Sequence, residues 1–361
     1  MLKYDFWGEN QPIVVGFVKS NANTLMIYGD LVFTKKEMKK LKVCIVGCGS
    51  IGSWLGAHLA RSPLVQLSCL VRTPSLQYVR EHGLRVDQAP SERSPVIEMP
   101  HCVADSAQVI GPQDFVILSV KSTALRACMD DIQGLINEST HIWTAMNGLP
   151  WWFANGLDEP CAGRTFESID PGGLMQARYP LQHWIGGVVH ASCSLKAPGH
   201  AVHHFGNGLI VGEPISAPGQ PSMRCRELVD LLLSVGFDAQ LSPRIQQDIW
   251  YKLWGNMTMN PISALTGATI DKILDDALLY EFVCTVMTEA KQLGAKIGLP
   301  IEQTPQDRNG LTRKLGAFKT SMLQDVENKR ALELDALLSC VVEMASWTQT
   351  PVPFTSALLG L

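Results

Sequence analysis

Short apolar runs alternate with helical stretches through the first half of the chain. Lys42 to Val46, Val65 to Val71, Asp114 to Val120 and His141 to Ala145 each read as buried strands, and Ser53 to Arg61 has helical character. Strands that alternate with helices and are apolar on both faces predict a parallel sheet covered on each side. Around 150–180 the pattern becomes loop-like, punctuated by Asp170-Pro171-Gly172-Gly173. Residues 184–213 read as two or three strands with glycine turns that lie against the end of the sheet. From about Ser222 the period changes. Arg224 to Val235, Gln246 to Met259, Ala277 to Ile297 and Arg330 to Trp347 carry apolar residues at spacings of three and four, which predicts helices.

The expected fold class is therefore α/β: an N-terminal Rossmann dinucleotide-binding domain with an all-helical C-terminal domain. The expected boundaries are a peripheral extension over 1–37, a nucleotide-binding domain over 38–218 and a helical substrate and catalytic domain over 219–361. The extension holds two β-like runs, Ile13 to Val18 and Thr24 to Phe33, which suggest a hairpin or a start codon placed too far upstream.

Composition narrows the classes. With 361 residues, 46% hydrophobic and 18% charged, the chain has the makings of a sizeable core, which excludes global disorder. A net charge of −4 offers no positive field for phosphate backbones, so a nucleic-acid partner is not expected. No apolar stretch is long enough to span a bilayer, so no membrane partner is expected and the cytoplasm is the expected location. Ten cysteines occur without a C-x-x-C pair, as in a reducing compartment, and Cys48 and Cys69 read as packing residues. His200, His203 and His204 lack the further ligands a metal would need, and no metal is expected.

Gly47-Cys48-Gly49-Ser50-Ile51-Gly52 places a G-x-G-x-x-G between a predicted strand and a predicted helix. The first glycine permits the tight turn, the second lets a pyrophosphate approach, and the third lets helix pack on strand. At the end of the second strand, where an NAD site carries a carboxylate for the ribose hydroxyl, this chain has Arg72. A guanidinium there can pair with a 2′-phosphate, so NADP(H) is the expected cofactor. Further on, Lys252, Asn256 and Asn260 are spaced i, i+4, i+8 and share one helix face. Pro261 is expected to end or kink that helix and turn Asn260 toward a cleft.

With the glycine loop, Ser119-Val120-Lys121, Met146-Asn147-Gly148-Leu149 and the Lys252, Asn256, Asn260-Pro261 series in that order, followed by Ser321-Met322-Leu323-Gln324-Asp325 and Glu333-Leu334-Asp335, the chain resembles the ketopantoate reductase (2-dehydropantoate 2-reductase) family from about residue 42 to about 350. The resemblance implies an NADPH-dependent reduction of 2-dehydropantoate to (R)-pantoate, in pantothenate and coenzyme A biosynthesis. It implies Lys252 as general acid and Glu333 as the partner that holds the nascent hydroxyl. Asn256, Asn260, Ser321 and Asn147 would bind substrate, and Lys121 and Asn147 would meet the cofactor at the sheet's carboxyl edge. A small 2-oxo acid is the implied partner, and the apolar C-terminal helices admit a homodimer. The segment Phe166 to Gly173 is longer than in the smallest members and could line the substrate pocket. Two rival readings are a reductase of the same fold acting on another branched 2-oxo acid, and a non-catalytic NADP-binding sensor. A sensor has no chemical need for both Lys252 and Glu333.

Overall fold

A computed structural model describes residues 40–89, 94–215 and 222–361, together with the backbone of three strands further upstream. Those strands, β1 (Val15–Ser20), β2 (Asn23–Tyr28) and β3 (Leu31–Thr34), form an antiparallel sheet in which each pairs with the next. A third strand thus joins the expected hairpin. The remainder of the expected 1–37 extension lies outside the described residues.

Ten further strands make one sheet: β4 (Leu41–Val46), β5 (Val65–Leu70), β6 (Leu84–Gln88), β7 (Val96–Glu98), β8 (Cys102–Ala104), β9 (Phe115–Leu118), β10 (His141–Thr144), β11 (Trp184–Ala197), β12 (His200–Gly212) and β13 (Asp238–Leu241). The order is β7-β6-β12-β11-β10-β9-β4-β5-β8, with β13 added beside β12. From β8 through β5, β4, β9 and β10 to the start of β11 the neighbours run parallel. Then β12 turns back antiparallel to β11 and extends the sheet, as expected for 184–213.

Alternation along the central strands assigns each side chain to a face. Val43, Ile45, Phe115 and Ile117 pack with Trp54 and Leu55 of the helix Ser50–Ala60 on one side. Cys44, Val46, Val116 and Leu118 point to the other side, where their cluster continues into Leu253, Trp254 and Met257 of the C-terminal helices. The two lobes therefore share a core. Helix Met223–Ser234 and β13 also pack on the sheet, past the expected boundary at 219.

The C-terminal lobe is helical, led by Ile245–Thr266 and Ala277–Lys296. Two expected helix limits are corrected here. The Ile245–Thr266 helix runs through Pro261 and closes only at Gly267, whose N–H meets the Ser263 carbonyl with φ +69°. Proline removes one donor, but Ile262 and Ser263 are buried and fix the next turn, so packing outweighs the lost bond. Arg330 to Trp347 is likewise not one helix. The helix Ser321–Glu327 ends near Lys329, whose φ of 54° breaks the run, and residues 330–333 are non-helical. A π-helical turn, Asp335–Ser339, then leads into Cys340–Trp347. The cause lies in long-range contacts of Glu333 and Ala336, described next.

Candidate active site

The glycine loop leaves β4 at its carboxyl end. Gly47 has φ +90°, a conformation that favours glycine, and a Cβ there would stand 2.8 Å from Val120 Cγ1. At Gly52 a Cβ would stand 2.0 Å from the Gly47 carbonyl oxygen, so helix Ser50–Ala60 can meet the loop only through a glycine. Gly49 faces open space, with nothing within 4 Å of a built Cβ. Ser119 braces the loop from the end of β9, donating to the carbonyls of Val46 (3.1 Å) and Gly47 (2.8 Å). Tight turn, close packing and open approach all fit a dinucleotide pyrophosphate at the helix N-terminus. Cys48, Ser50 and Ile51 fill the loop between these glycines, and Cys48 and Cys69 are buried as expected. Arg72 is exposed where β5 gives way to helix Thr73–His82.

The turn after β10 comes next along the edge. Gly148 has φ +82°, and a Cβ there would stand 2.6 Å from the Ala336 carbonyl oxygen, which accepts from Leu149 N–H at 2.8 Å. The π turn of the second lobe is thus clamped to the loop that carries Asn147. Lys252 arrives from the facing helix. Its Nζ donates to Asn147 Oδ1 at 2.6 Å and to the Val189 carbonyl at 2.8 Å. An ammonium has three N–H groups, so one remains for a ligand. Burial pushes the Lys252 ammonium down to about 8, while the charge of Glu333 pulls the other way. Lys252, Asn256, Met146, Gly148 and Ile249 line one hollow, and an adjoining one is walled by Asn147, Leu125, Trp151 and Ile169.

Lys121 and Glu333 meet across the lobes. Lys121 Nζ lies 2.6 Å from Asp325 and 3.3 Å from Glu333, and Ser122 N–H donates to Glu333 at 2.8 Å. Burial works to lower the Lys121 ammonium, but the two carboxylates outweigh it and hold it above the ordinary lysine value. Glu333 therefore touches Lys121 and Ser122, and acts on Lys252 only through its charge. Asn260 is buried one turn beyond Asn256, and Ser321 opens the helix that carries Asp325.

The fold brings Lys252, Asn147, Lys121 and Glu333, four residues singled out by sequence reasoning, to one edge of the sheet. That reasoning missed the Val189 carbonyl, which no side chain marks, and the role of Asp325, which it quoted only within a motif. The 166–173 segment is pinned to the second lobe. Glu343 accepts from Glu167 N–H (2.8 Å), Ser168 N–H (3.0 Å) and the Ser168 hydroxyl (2.6 Å), and Phe166 packs on Trp347. This holds Ile169 at the hollow.

A glycine loop at the carboxyl edge of a parallel sheet, faced by an enclosed lysine from a helical lobe, defines a two-lobed dinucleotide-dependent oxidoreductase. Residues 43–152 match the family model "Ketopantoate reductase PanE/ApbA", and residues 244–361 match "Ketopantoate reductase PanE/ApbA C terminal". A 2-dehydropantoate 2-reductase from Mesorhizobium japonicum is 35% identical over 321 residues, covering 89% of this chain and 96% of that protein. A crystal structure provisionally assigned as a ketopantoate reductase, from Ralstonia solanacearum, superposes with a TM-score of 0.83 at 42% identity, over 89% of this chain and 96% of that one. A D-mandelate dehydrogenase solved with NADH and anilino(oxo)acetate shares the fold, with a TM-score of 0.74 at 21% identity over 89% of this chain and 96% of that one. The chain belongs to the ketopantoate reductase family and is an oxidoreductase. Among the described residues no helix is long and apolar enough to cross a membrane.

Proposed function

We propose that this protein reduces 2-dehydropantoate to (R)-pantoate with NADPH, and that Lys252 is the acid of the reaction. The observation that carries this reading is the Lys252 ammonium, held by Asn147 and Val189 with one N–H left over beside Asn256. When bound, NADPH supplies a hydride to the carbonyl carbon of the 2-oxo acid. Lys252 Nζ gives its proton to the carbonyl oxygen as negative charge develops there, and the product is the 2-hydroxy acid. An ammonium near 8 is still charged at neutral pH yet surrenders its proton more readily than one at the ordinary 10.5. Glu333 keeps that value from falling further, and its bonds to Lys121 and Ser122 fix where its charge sits. Asn256, Asn260 and Ser321 are the groups we assign to the substrate's oxygens, and Lys121 and Asn147 those that meet both ligands. Gly47, Gly49 and Gly52 carry the pyrophosphate, and exposed Arg72 reads the 2′-phosphate.

The test is loss of NADPH absorbance with 2-dehydropantoate, beside a panel of branched and aromatic 2-oxo acids. A preference for 2-dehydropantoate supports the assignment. A preference for a bulkier acid moves it to another 2-oxo acid, a reading the apolar wall of Trp151, Ile169 and Leu125 makes specific. No turnover of any member overturns the reductase reading.

A further inference from the structure

Glycine inside a helix is unfavourable relative to alanine, so an interior glycine calls for a reason. Gly255 stands between Lys252 and Asn256, and its bare backbone is covered by Arg308 from helix Pro305–Arg313. A Cβ at Gly255 would stand 3.4 Å from Arg308 Nη2 and 3.6 Å from its Nε. One turn back, the Tyr251 ring lies under the same guanidinium, 5.0 Å from its centroid, while the Tyr251 hydroxyl donates to Gln303. Tyr251 and Gly255 thus make a shelf for a cation directly beside the Lys252–Asn256 stripe.

Two part-buried arginines elsewhere in the fold end on acceptors. Arg244 donates to the carbonyls of Gly298 and Gly156, and Arg224 to Glu213 and the Trp184 carbonyl. Arg308 does not. Among the described residues it forms no ion pair, and its Nε is buried without a partner. It is held by stacking, which leaves the outer Nη edge for an anion. Gly255 lies between Lys252 and Asn256 on helix Ile245–Thr266, which sets Arg308 beside the site, and His190 follows the Val189 carbonyl that Lys252 uses. The His190 ring keeps an exposed edge but is pushed down to about 4, by burial first and then by the positive charges of Lys252 and Arg308. The carboxylates described at the site, Asp325 and Glu333, pair with Lys121.

We propose that Arg308, seated on Tyr251 and Gly255, binds the carboxylate of the 2-oxo acid and so selects anionic substrates over neutral carbonyl compounds. This rests on the reductase reading above. A guanidinium suits the role because its planar N–H groups match a carboxylate, and stacking pre-orders it.

The experiment is calorimetric titration of the NADP+-bound enzyme with 2-dehydropantoate, with its neutral lactone and with oxamate, in wild type, Arg308→Gln and Arg308→Lys. Loss of one charge-assisted contact should raise the Kd for both anions about tenfold or more in Arg308→Gln, with the lactone little changed and partial recovery in Arg308→Lys. In turnover, KM should rise while kcat changes little. Tyr251→Leu keeps the cation but removes its shelf, and should give a smaller rise if Arg308→Gln proves too unstable to titrate. Equal anion affinity in wild type and Arg308→Gln, an equal loss for the lactone, or no anion binding to wild type would overturn the proposal. If oxamate binding depends on Arg308 but no 2-oxo acid turns over, the reductase reading falls and the anion site stands.

Discussion

Replacing Lys252 with methionine separates catalysis from stability. Methionine keeps much of the aliphatic stem but removes the acid, and a positioned acid contributes about 10²–10⁴ in rate, equivalent to about 3–5 kcal/mol of barrier. Turnover should fall by that factor while NADPH still binds. Stability should move differently. The fall of the ammonium from 10.5 to about 8 means that holding the charge in the fold costs about 3 kcal/mol at neutral pH, and methionine removes that cost. Against it stand the two bonds from the ammonium to Asn147 and Val189, about 1.5–3 kcal/mol each. At pH 7 the variant should therefore be as stable as wild type or somewhat less so. The folded value lies below the unfolded one, so the unfolded chain binds more protons between pH 8 and 10.5, and wild type gains stability across that window. Urea unfolding at pH 7 and near pH 9.5, with kcat measured alongside, gives both readings. A kcat within tenfold of wild type, or a stability difference independent of pH, would refute the reasoning.

Other expectations concern separate parts of the molecule. Because the acid must be protonated, kcat/KM for reduction should decline above about pH 8, whereas the reverse oxidation should gain; a flat reduction profile to pH 10 would remove Lys252 from that role. Arg72→Asp should shift preference from NADPH toward NADH by about 1–3 kcal/mol, read from the ratio of the two kcat/KM values. Equal loss for both cofactors would show that Arg72 does not read the phosphate. Glu343→Ala removes the acceptor of three hydrogen bonds from Glu167 and Ser168. It should cost about 2 kcal/mol in urea unfolding and speed protease cleavage within 166–173, and unchanged cleavage would mean the segment is held by packing alone.

Local patterns made much of the molecule readable from its sequence. Alternation and helical period depend on neighbours a few residues apart, so β4, β5, β9, β10, the β11–β12 pair and the helices Met223–Ser234, Ile245–Thr266 and Ala277–Lys296 could be anticipated, whereas β6, β7, β8 and β13 were not. The glycine loop is legible for the same reason, since turn, approach and packing are each set by one residue without a side chain. Lys252 and Asn256 share a face because of helix geometry alone.

Tertiary structure decided the rest, through contacts between residues far apart in the chain. Asn147 and Val189 meet Lys252 across 105 and 63 positions, and Glu333 meets Lys121 across 212. Those contacts determine which proton is available and how tightly it is held. They also explain where local rules failed: Pro261 stays helical because its neighbours are buried, and residues 330–333 leave the helix where Glu333 is drawn to Lys121 and Ser122. Residue spacing carries the chemistry a segment can offer, but burial and long-range partners set the charge state and direction of each group, and these exist only once the two lobes have packed together.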